Sequence, residues 1–91
     1  MIPKHRTPVH PGEILLEEFL KPAQMTQSEL AKLMHVPIQR INTLINGKRD
    51  MSPETAILLS QALGTTAEFW MNLQTHRDIF LARQKLSIPA A

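Results

Sequence analysis

Residues 27–46 read QSELAKLMHVPIQRINTLIN. Thr26, just before this stretch, is a residue type that caps helix N-termini, and Glu29 three residues later completes a capping box. This pattern predicts a helix from Gln27 to Met34. A second helix is predicted from about Pro37 to Ile45, because its apolar residues lie three or four positions apart and an Asn-Gly pair follows them. Two short helices joined by a tight turn form a helix-turn-helix.

The apolar side chains of this stretch have packing roles that leave one face of the second helix free. Ala31 is small where the two helices approach closely, Val36 fills the turn, and Ile41 and Leu44 face back onto the first helix. The polar residues left on the outer side of the second helix are Gln39, Arg40, Asn42 and Thr43. These residue types can read base edges or bind phosphates, so the second helix is the candidate recognition helix for duplex DNA.

Flanking residues complete the predicted DNA-binding site. Gln27 and Asn46 bracket the motif, and we expect them, with the basic pair after Asn46, to bind phosphates and orient the recognition helix in the major groove. Gln39, Asn42 and Thr43 are then expected to contact bases. Ile38 is ambiguous: if exposed it could contact a thymine methyl, but it lies three residues before Ile41 and could belong to the core. The predicted DNA-binding residues are Gln27, Pro37, Ile38, Gln39, Arg40, Asn42, Thr43, Asn46, Lys48 and Arg49.

The distribution of charge favours a nucleic-acid partner more than the net charge does. A net charge of +2 is modest for a chain of 91 residues. No carboxylate lies between Glu29 and Asp50, however, and four basic residues do: Lys32, Arg40, Lys48 and Arg49. The alternative is that the polar residues of the recognition helix are only its solvated face. The coincidence of small residue, turn, apolar spacing and acid-free window argues against that alternative.

Three further helices are predicted, which makes the fold class all-α with five helices. The first runs from about Pro11 to Lys21, where Pro22 is expected to end it. Ser52-Pro53-Glu54 begins the fourth, which is expected to be mostly buried and to end at Gly64. Thr65 or Thr66 caps the fifth, which continues towards Lys85. The chain length permits one domain, residues 1–91, and an apolar content of 43% is enough for a small core.

Composition and spacing argue against several classes of protein. The absence of Cys excludes a disulfide framework or a thiolate metal site. No stretch approaches the roughly 18 apolar residues of a membrane span, and no signal peptide is recognisable, so a cytoplasmic location is expected. No two of the histidines at positions 5, 10, 35 and 76 are three or four residues apart, as metal ligands on one helix would be. Glu17 and Glu18 are adjacent, so on a helix their side chains point in different directions and cannot act on one substrate together. We therefore predict no enzyme activity, metal or cofactor, and expect His10 to cap the first helix or to lie in solvent.

The helix-turn-helix stretch resembles the Cro/C1 repressor family. This resemblance implies a lambda-repressor-like DNA-binding domain over residues 15–69, with its helix-turn-helix core at residues 27–46. In that family the position of His35 is commonly Gly, so we expect His35 to adopt a positive φ angle. The family also prefers Ser or Thr where Pro37 stands, so the recognition helix should lack a side-chain cap.

A second resemblance covers nearly the whole chain. Its segments are HPGEIL at 10–15, EFL at 18–20, NGKR at 46–49, SPETA at 52–56 and GTTAEFWMNLQ at 64–74. They resemble the HigA family of antitoxins, also described as virulence-associated protein I, and the FWMNLQ segment is the most specific. The resemblance implies a small dimeric repressor of its own operon that also silences a HigB-type toxin, an mRNA interferase. The alternatives are a free-standing helix-turn-helix repressor without a toxin and, in another class, a helical protein-interaction module.

The C-terminal helix carries more apolar residues than one small core absorbs. Phe69 and Trp70 are expected to close the core rather than to bind a ligand. The apolar residues beyond them are Leu73, Ile79, Phe80, Leu81, Leu86 and Ile88. Exposed apolar patches commonly mark interfaces, so residues 70–91 are predicted to form a dimer contact. A twofold dimer would present two recognition helices about 34 Å apart to an operator. Residues 1–7 and 87–91 are expected to be loose ends.

Overall fold

The computed structural model describes residues 7–87, which form five helices and no strand. The first helix, α1, covers residues 11–23. The others are α2 (Gln27–Met34), α3 (Ile38–Ile45), α4 (Pro53–Leu63) and α5 (Ala67–Lys85). The predicted all-α class with a helix-turn-helix, here α2 and α3, is confirmed. Ile88 and almost all of the predicted loose ends lie outside the described residues. Within residues 7–87 no helix has the length and apolarity needed to cross a membrane.

Short-range hydrogen bonds start the helices at the predicted residues. Thr26 Oγ1 accepts from the Glu29 N–H at 3.0 Å and Glu29 Oε1 accepts from the Thr26 N–H at 2.9 Å, so the capping box is confirmed. The hydrogen bonds from Thr26 also lower the pKa of Glu29, because they favour its carboxylate form. Ser52 caps α4, and Thr66, not Thr65, caps α5. These caps are local, which is why the sequence predicts them well.

Helix α1 differs from its prediction at Pro22. The helix continues through Lys21–Ala23 and ends at Gln24, so the expectation that Pro22 terminates it is wrong. Its middle, Leu15–Leu20, is a π-helical segment, and the Lys21 N–H donates to the Leu16 carbonyl five residues back. In a regular α-helix the ring of Pro22 would collide with the carbonyl four residues earlier, and Pro has no N–H to donate. A wider turn upstream makes room for that ring, so the helix passes through Pro22.

The core lies where all five helices meet. Its fully buried side chains include Leu15, Leu20, Leu30, Ile41, Leu44, Leu59 and Trp70. The Trp70 ring packs on Phe19 with centroids 5.1 Å apart, and its Nε1–H donates to Thr65 Oγ1 at 2.7 Å. Phe69 contacts both rings but stays at the edge of the core, 38% exposed. The prediction that the two aromatic residues close the core is confirmed for Trp70 and is wrong for Phe69.

The outer faces of α2 and α4 are more exposed than the spacing of their apolar residues suggests. At the end of α2, Met34 is buried and Leu33 is 56% exposed. Helix α4 packs on α2 and α5 along one side, and Ile57 on its other side is 48% exposed. The expectation that α4 is mostly buried is therefore wrong, because a five-helix unit of this size has no further layer to cover its outer face.

Candidate nucleic-acid interface

Helix α3 lies at the surface with its apolar side buried. Ile41 and Leu44 are completely buried against α1 and α2, whereas Gln39 and Asn42 are exposed. Arg40 and Thr43 are half-buried, and the Nε of Arg40 has no hydrogen-bond partner among residues 7–87. None of the four predicted recognition residues is packed inside the protein. The outer face of α3 is thus accessible to a large ligand.

Three amide side chains form a row that joins the start of α2 to the end of α3. Asn42 Nδ2 donates to Gln27 Oε1 at 3.3 Å, and Asn46 Nδ2 donates to Asn42 Oδ1 at 3.2 Å. The structure therefore brings together two residues predicted to contact phosphates and one predicted to contact bases. This row can offer DNA the Gln27 amide N–H groups, the second N–H of Asn42, and the second N–H and carbonyl of Asn46.

A contact loop, residues 46–50, folds back onto the last turn of α3. The Lys48 backbone N–H donates to the Thr43 carbonyl at 2.9 Å, and Arg49 Nε donates to Thr43 Oγ1 at 3.4 Å. The Thr43 hydroxyl itself donates to the Gln39 carbonyl at 2.8 Å. The O–H donor of Thr43 is thus used within the protein, while the Lys48 and Arg49 side chains remain exposed. The loop places two cations next to the recognition helix.

The beginning of α3 forms an exposed tip. Pro37 is the N-cap residue and makes no side-chain cap, as predicted, and α3 proper starts at Ile38. The Ile38 side chain is 43% exposed, so it is not a core residue. Together with the exposed Gln39 it presents apolar and amide groups at the N-terminal end of α3. This combination matches what a base edge and a thymine methyl require.

Helix α1 touches the backbone of the recognition helix at Gly12. A Cβ atom added at Gly12 would lie 1.9 Å from the Leu44 carbonyl oxygen and 2.9 Å from the Ile45 Cα. Only a residue without a side chain permits this approach. Sequence reasoning missed this role of Gly12, and the only available signal was its place in the HPGEIL segment.

His10 supports the same junction. Its Nδ1 accepts from the Gly12 N–H at 2.9 Å, which confirms that it caps α1, and its Nε2 lies 3.7 Å from Asp50 Oδ1 in the contact loop. Burial lowers the pKa of His10 below its ordinary value of 6.5, and the charge of Arg77 lowers it further, while Asp50 opposes both. The neutral ring is therefore favoured in the folded protein.

Sequence reasoning also missed Gln74 of α5, which binds the backbone of Met51, the residue directly after the contact loop. Its Oε1 accepts from the Met51 backbone N–H at 2.7 Å. The residue belongs to the FWMNLQ segment, but neither its burial nor its partner could be read from that segment.

Comparison with known proteins places this geometry among regulators of one type. A family model described as helix-turn-helix matches residues 16–70. Virulence-associated protein I of Dichelobacter nodosus is 42% identical over 76 residues, which cover 84% of this chain and 70% of the relative. Antitoxin HigA-1 of Vibrio cholerae is 42% identical over 80 residues, covering 88% and 75% respectively. The structure of Pseudomonas aeruginosa antitoxin HigA with the higBA promoter superposes with a TM-score of 0.82 at 36% identity, covering 86% of this chain and 85% of that one.

Proposed function

The chain belongs to the HigA family of helix-turn-helix proteins, and from that premise we propose that it is the antitoxin of a type II toxin-antitoxin pair. In this role it represses its own operon by binding operator DNA as a homodimer, and it neutralises a HigB-like mRNA interferase. It works in the cytoplasm and acts by binding, without a catalytic step.

The DNA-binding part of the proposed function rests on one observation: the outer face of α3 is accessible and lies beside two exposed cations. Ile38 and Gln39, exposed at the N-terminal end of α3, enter the major groove, where the glutamine amide can pair with adenine and the isoleucine can contact a thymine methyl. Asn42 contributes its remaining N–H. The similar structure of P. aeruginosa antitoxin HigA with the higBA promoter supports DNA binding by this chain.

Phosphate contacts cluster beside the C-terminal half of the recognition helix. The Gln27 amide lies in the first turn of α2, where backbone N–H groups and the helix dipole favour an anion. Lys48 and Arg49 follow the C-terminal end of α3, in the contact loop. Phosphate binding beside this end of the helix sets its depth and angle in the groove, so that few base contacts can specify a sequence.

Toxin neutralisation must use a surface other than this one if DNA and toxin are to be bound together. The outer sides of α1 and α2 are available for this purpose, with the acidic residues Glu13, Glu17 and Glu18 exposed on α1. The name of the Vibrio cholerae relative, antitoxin HigA-1, supports a toxin partner.

The DNA-binding half is tested with duplex DNA taken from upstream of the protein's own gene. Fluorescence anisotropy at several salt concentrations should show specific binding that weakens as salt rises, because counterions are released from the phosphates. A shuffled duplex of equal length is the control and should bind far more weakly. Equal affinity for both duplexes would contradict the repressor, and salt-independent binding or no binding would favour the protein-interaction module.

The toxin half is tested by co-expression with the adjacent open reading frame. That frame alone should arrest growth, and this chain should restore growth and co-purify with its product. A Gln39→Ala variant is the matched control: it should lose operator binding and still rescue growth, because its substitution lies on the DNA face. An adjacent frame that is harmless, beside intact operator binding, would instead identify a free-standing repressor.

A further inference from the structure

Gln74 is a buried polar residue in the middle of α5, with 3% of its surface exposed. A buried amide is costly unless its carbonyl and its N–H groups both find partners. Gln74 satisfies this requirement in two directions. Its Oε1 accepts from the Met51 N–H at 2.7 Å, and its Nε2 donates to Asp78 Oδ1 at 2.9 Å. The first of these bonds reaches a backbone group 23 residues earlier in the chain.

The bond to Met51 holds the downstream end of the contact loop. Met51 directly follows Asp50, and its own side chain is buried. The loop is also held further upstream, where the Lys48 N–H donates to the Thr43 carbonyl. Residues 46–50 themselves are all exposed. Hydrogen bonds therefore hold the loop that carries Lys48 and Arg49 to α3 through Lys48 and to α5 through the adjacent Met51.

The same turn of α5 makes a second link to this region. Arg77 Nη1 donates to the Pro8 carbonyl at 2.6 Å, just before His10. His10 in turn lies beside Asp50 of the contact loop. Gln74 and Arg77 are three residues apart and thus neighbours on one helix face. Helix α5 consequently supports the contact loop directly through Gln74 and indirectly through the segment before α1.

We infer that Gln74 is a positioning residue for DNA binding, which acts through Met51 to hold Lys48 and Arg49 where phosphates meet them. The inference rests on the proposed function, since it takes the contact loop as a DNA-binding element. Gln74 is too buried to touch DNA itself. Its effect is to order the loop before binding, so that less conformational freedom is lost when the complex forms.

Two substitutions separate anchoring from general stabilisation. Gln74→Met keeps the volume of the side chain but removes the acceptor for the Met51 N–H. Gln74→Glu keeps an acceptor for Met51 and loses the donor to Asp78. Both variants lose stability, whereas only the first releases the loop. We expect Gln74→Met to weaken operator binding about tenfold and to reduce the slope of log K against log salt by about one. Gln74→Glu should keep the slope of the unsubstituted protein.

Amide hydrogen exchange in the free protein provides a readout that does not depend on DNA. Gln74→Met should accelerate exchange at Met51 and Lys48, while the amide of Leu44 in the core of the domain keeps its protection. If Gln74→Met does not fold, Gln74→Asn replaces it, because the shorter side chain withdraws the amide from Met51.

Equal losses of affinity and salt slope in the two variants, or unchanged exchange at Met51, would overturn the inference. Failure of the proposed function has a different signature: the unsubstituted protein would show no preference for operator DNA, even though exchange in the loop still responded to Gln74→Met. In that case the residue anchors the loop but positions nothing for DNA, and the inference falls with the function.

Discussion

His35 ends α2 in a left-handed backbone conformation, with φ 56° and ψ 43°. The positive φ angle expected from the Cro/C1 turn is thereby confirmed. The His35 N–H donates to the carbonyls of Ala31 and Lys32, so the strained residue closes the helix that precedes the turn. A side chain with a Cβ atom costs about 1 kcal/mol in this conformation relative to Gly.

We expect His35→Gly to leave the stability unchanged or to raise it by up to about 1 kcal/mol. The gain is limited because glycine also loses more backbone entropy on folding. Thermal unfolding followed by circular dichroism measures the effect. His35→Val is the opposing control and should lower Tm, since a β-branched residue is strongly disfavoured at positive φ. A clear fall in Tm for His35→Gly would contradict the assignment of this turn.

His10 makes stability depend on pH through its role as the cap of α1. The neutral ring accepts the Gly12 N–H, and burial lowers the pKa of His10 below 6.5 in the folded protein. As the pH falls, the unfolded chain therefore binds the proton first. The contribution to stability is complete above about pH 6.5 and is lost as the pH falls through the lowered pKa.

We expect Tm to decrease between about pH 8 and about pH 5 more steeply in the unsubstituted protein than in His10→Asn. Asparagine keeps an oxygen acceptor for the cap but does not titrate, so the comparison removes the contribution of other groups. Differential scanning fluorimetry across this range provides the measurement. Parallel curves of Tm against pH for the two proteins would contradict a lowered pKa of His10 in the folded protein.

At the scale of elements, the packing of α1 on α3 depends on one close approach. The first turn of α1 meets the backbone of Leu44 and Ile45, which move only if α3 moves with them. Gly12→Ala should therefore cost about 1–3 kcal/mol and also weaken operator binding, because the recognition helix is displaced. Gly64→Ala is the control: nothing lies within 4 Å of an added Cβ there, although φ is +73°. It should lower Tm without changing DNA affinity, and equal DNA affinities for the two variants would contradict the predicted displacement.

The charged groups of α3 and its contact loop have separable effects on DNA binding. Arg40→Ala and Lys48→Ala should each weaken operator binding, and loss of a phosphate contact should reduce the salt slope by about one. Lys21→Ala removes the same charge from α1, where the ammonium is 2.8 Å from Glu17 Oε2, and should leave the affinity nearly unchanged. Titrations at three or more salt concentrations are required. Unchanged affinity in both Arg40→Ala and Lys48→Ala would be incompatible with the proposed interface.

At the scale of the whole molecule, α5 supplies the surface predicted to form a dimer. Ile79 and Leu86 are 45% and 66% exposed. Ile79 lies within α5 and Leu86 is its C-cap residue, and their spacing of seven residues places them on the same side. Residues 7–87 contain one recognition helix, so a dimer is needed to present two recognition helices to half-sites about 34 Å apart.

Sedimentation velocity should therefore show a dimer at micromolar concentration, at least when operator DNA is present. Combining Ile79→Gln with Leu86→Gln should shift the protein towards monomer, because it removes apolar area from the contact. Leu33→Gln changes an equally exposed apolar residue on α2 and should leave the dimer intact. A monomer with and without operator would refute the dimer contact predicted for residues 70–91.

Much of the fold follows from interactions between residues that are close together in the sequence. The capping box of α2, the Ser52 and Thr66 caps and the strained turn at His35 each involve residues within about four positions, so their energetics are present in the local sequence. The exposed polar face of α3 follows in the same way from helical periodicity once its isoleucine and leucine are assigned to the core.

The tertiary structure alone decided how these elements meet. The row from Gln27 to Asn46, the contact of Gly12 with α3 and the bond of Gln74 to Met51 join residues distant in sequence. The same is true of exposure at Leu33, Ile38 and Ile57, which depends on whether another helix covers them. Periodicity tells which side of a helix is apolar, but distances between helices are set only when the whole core packs. For that reason the recognition helix and its apolar side could be predicted from sequence, and the supporting contacts of Gly12 and Gln74 could not.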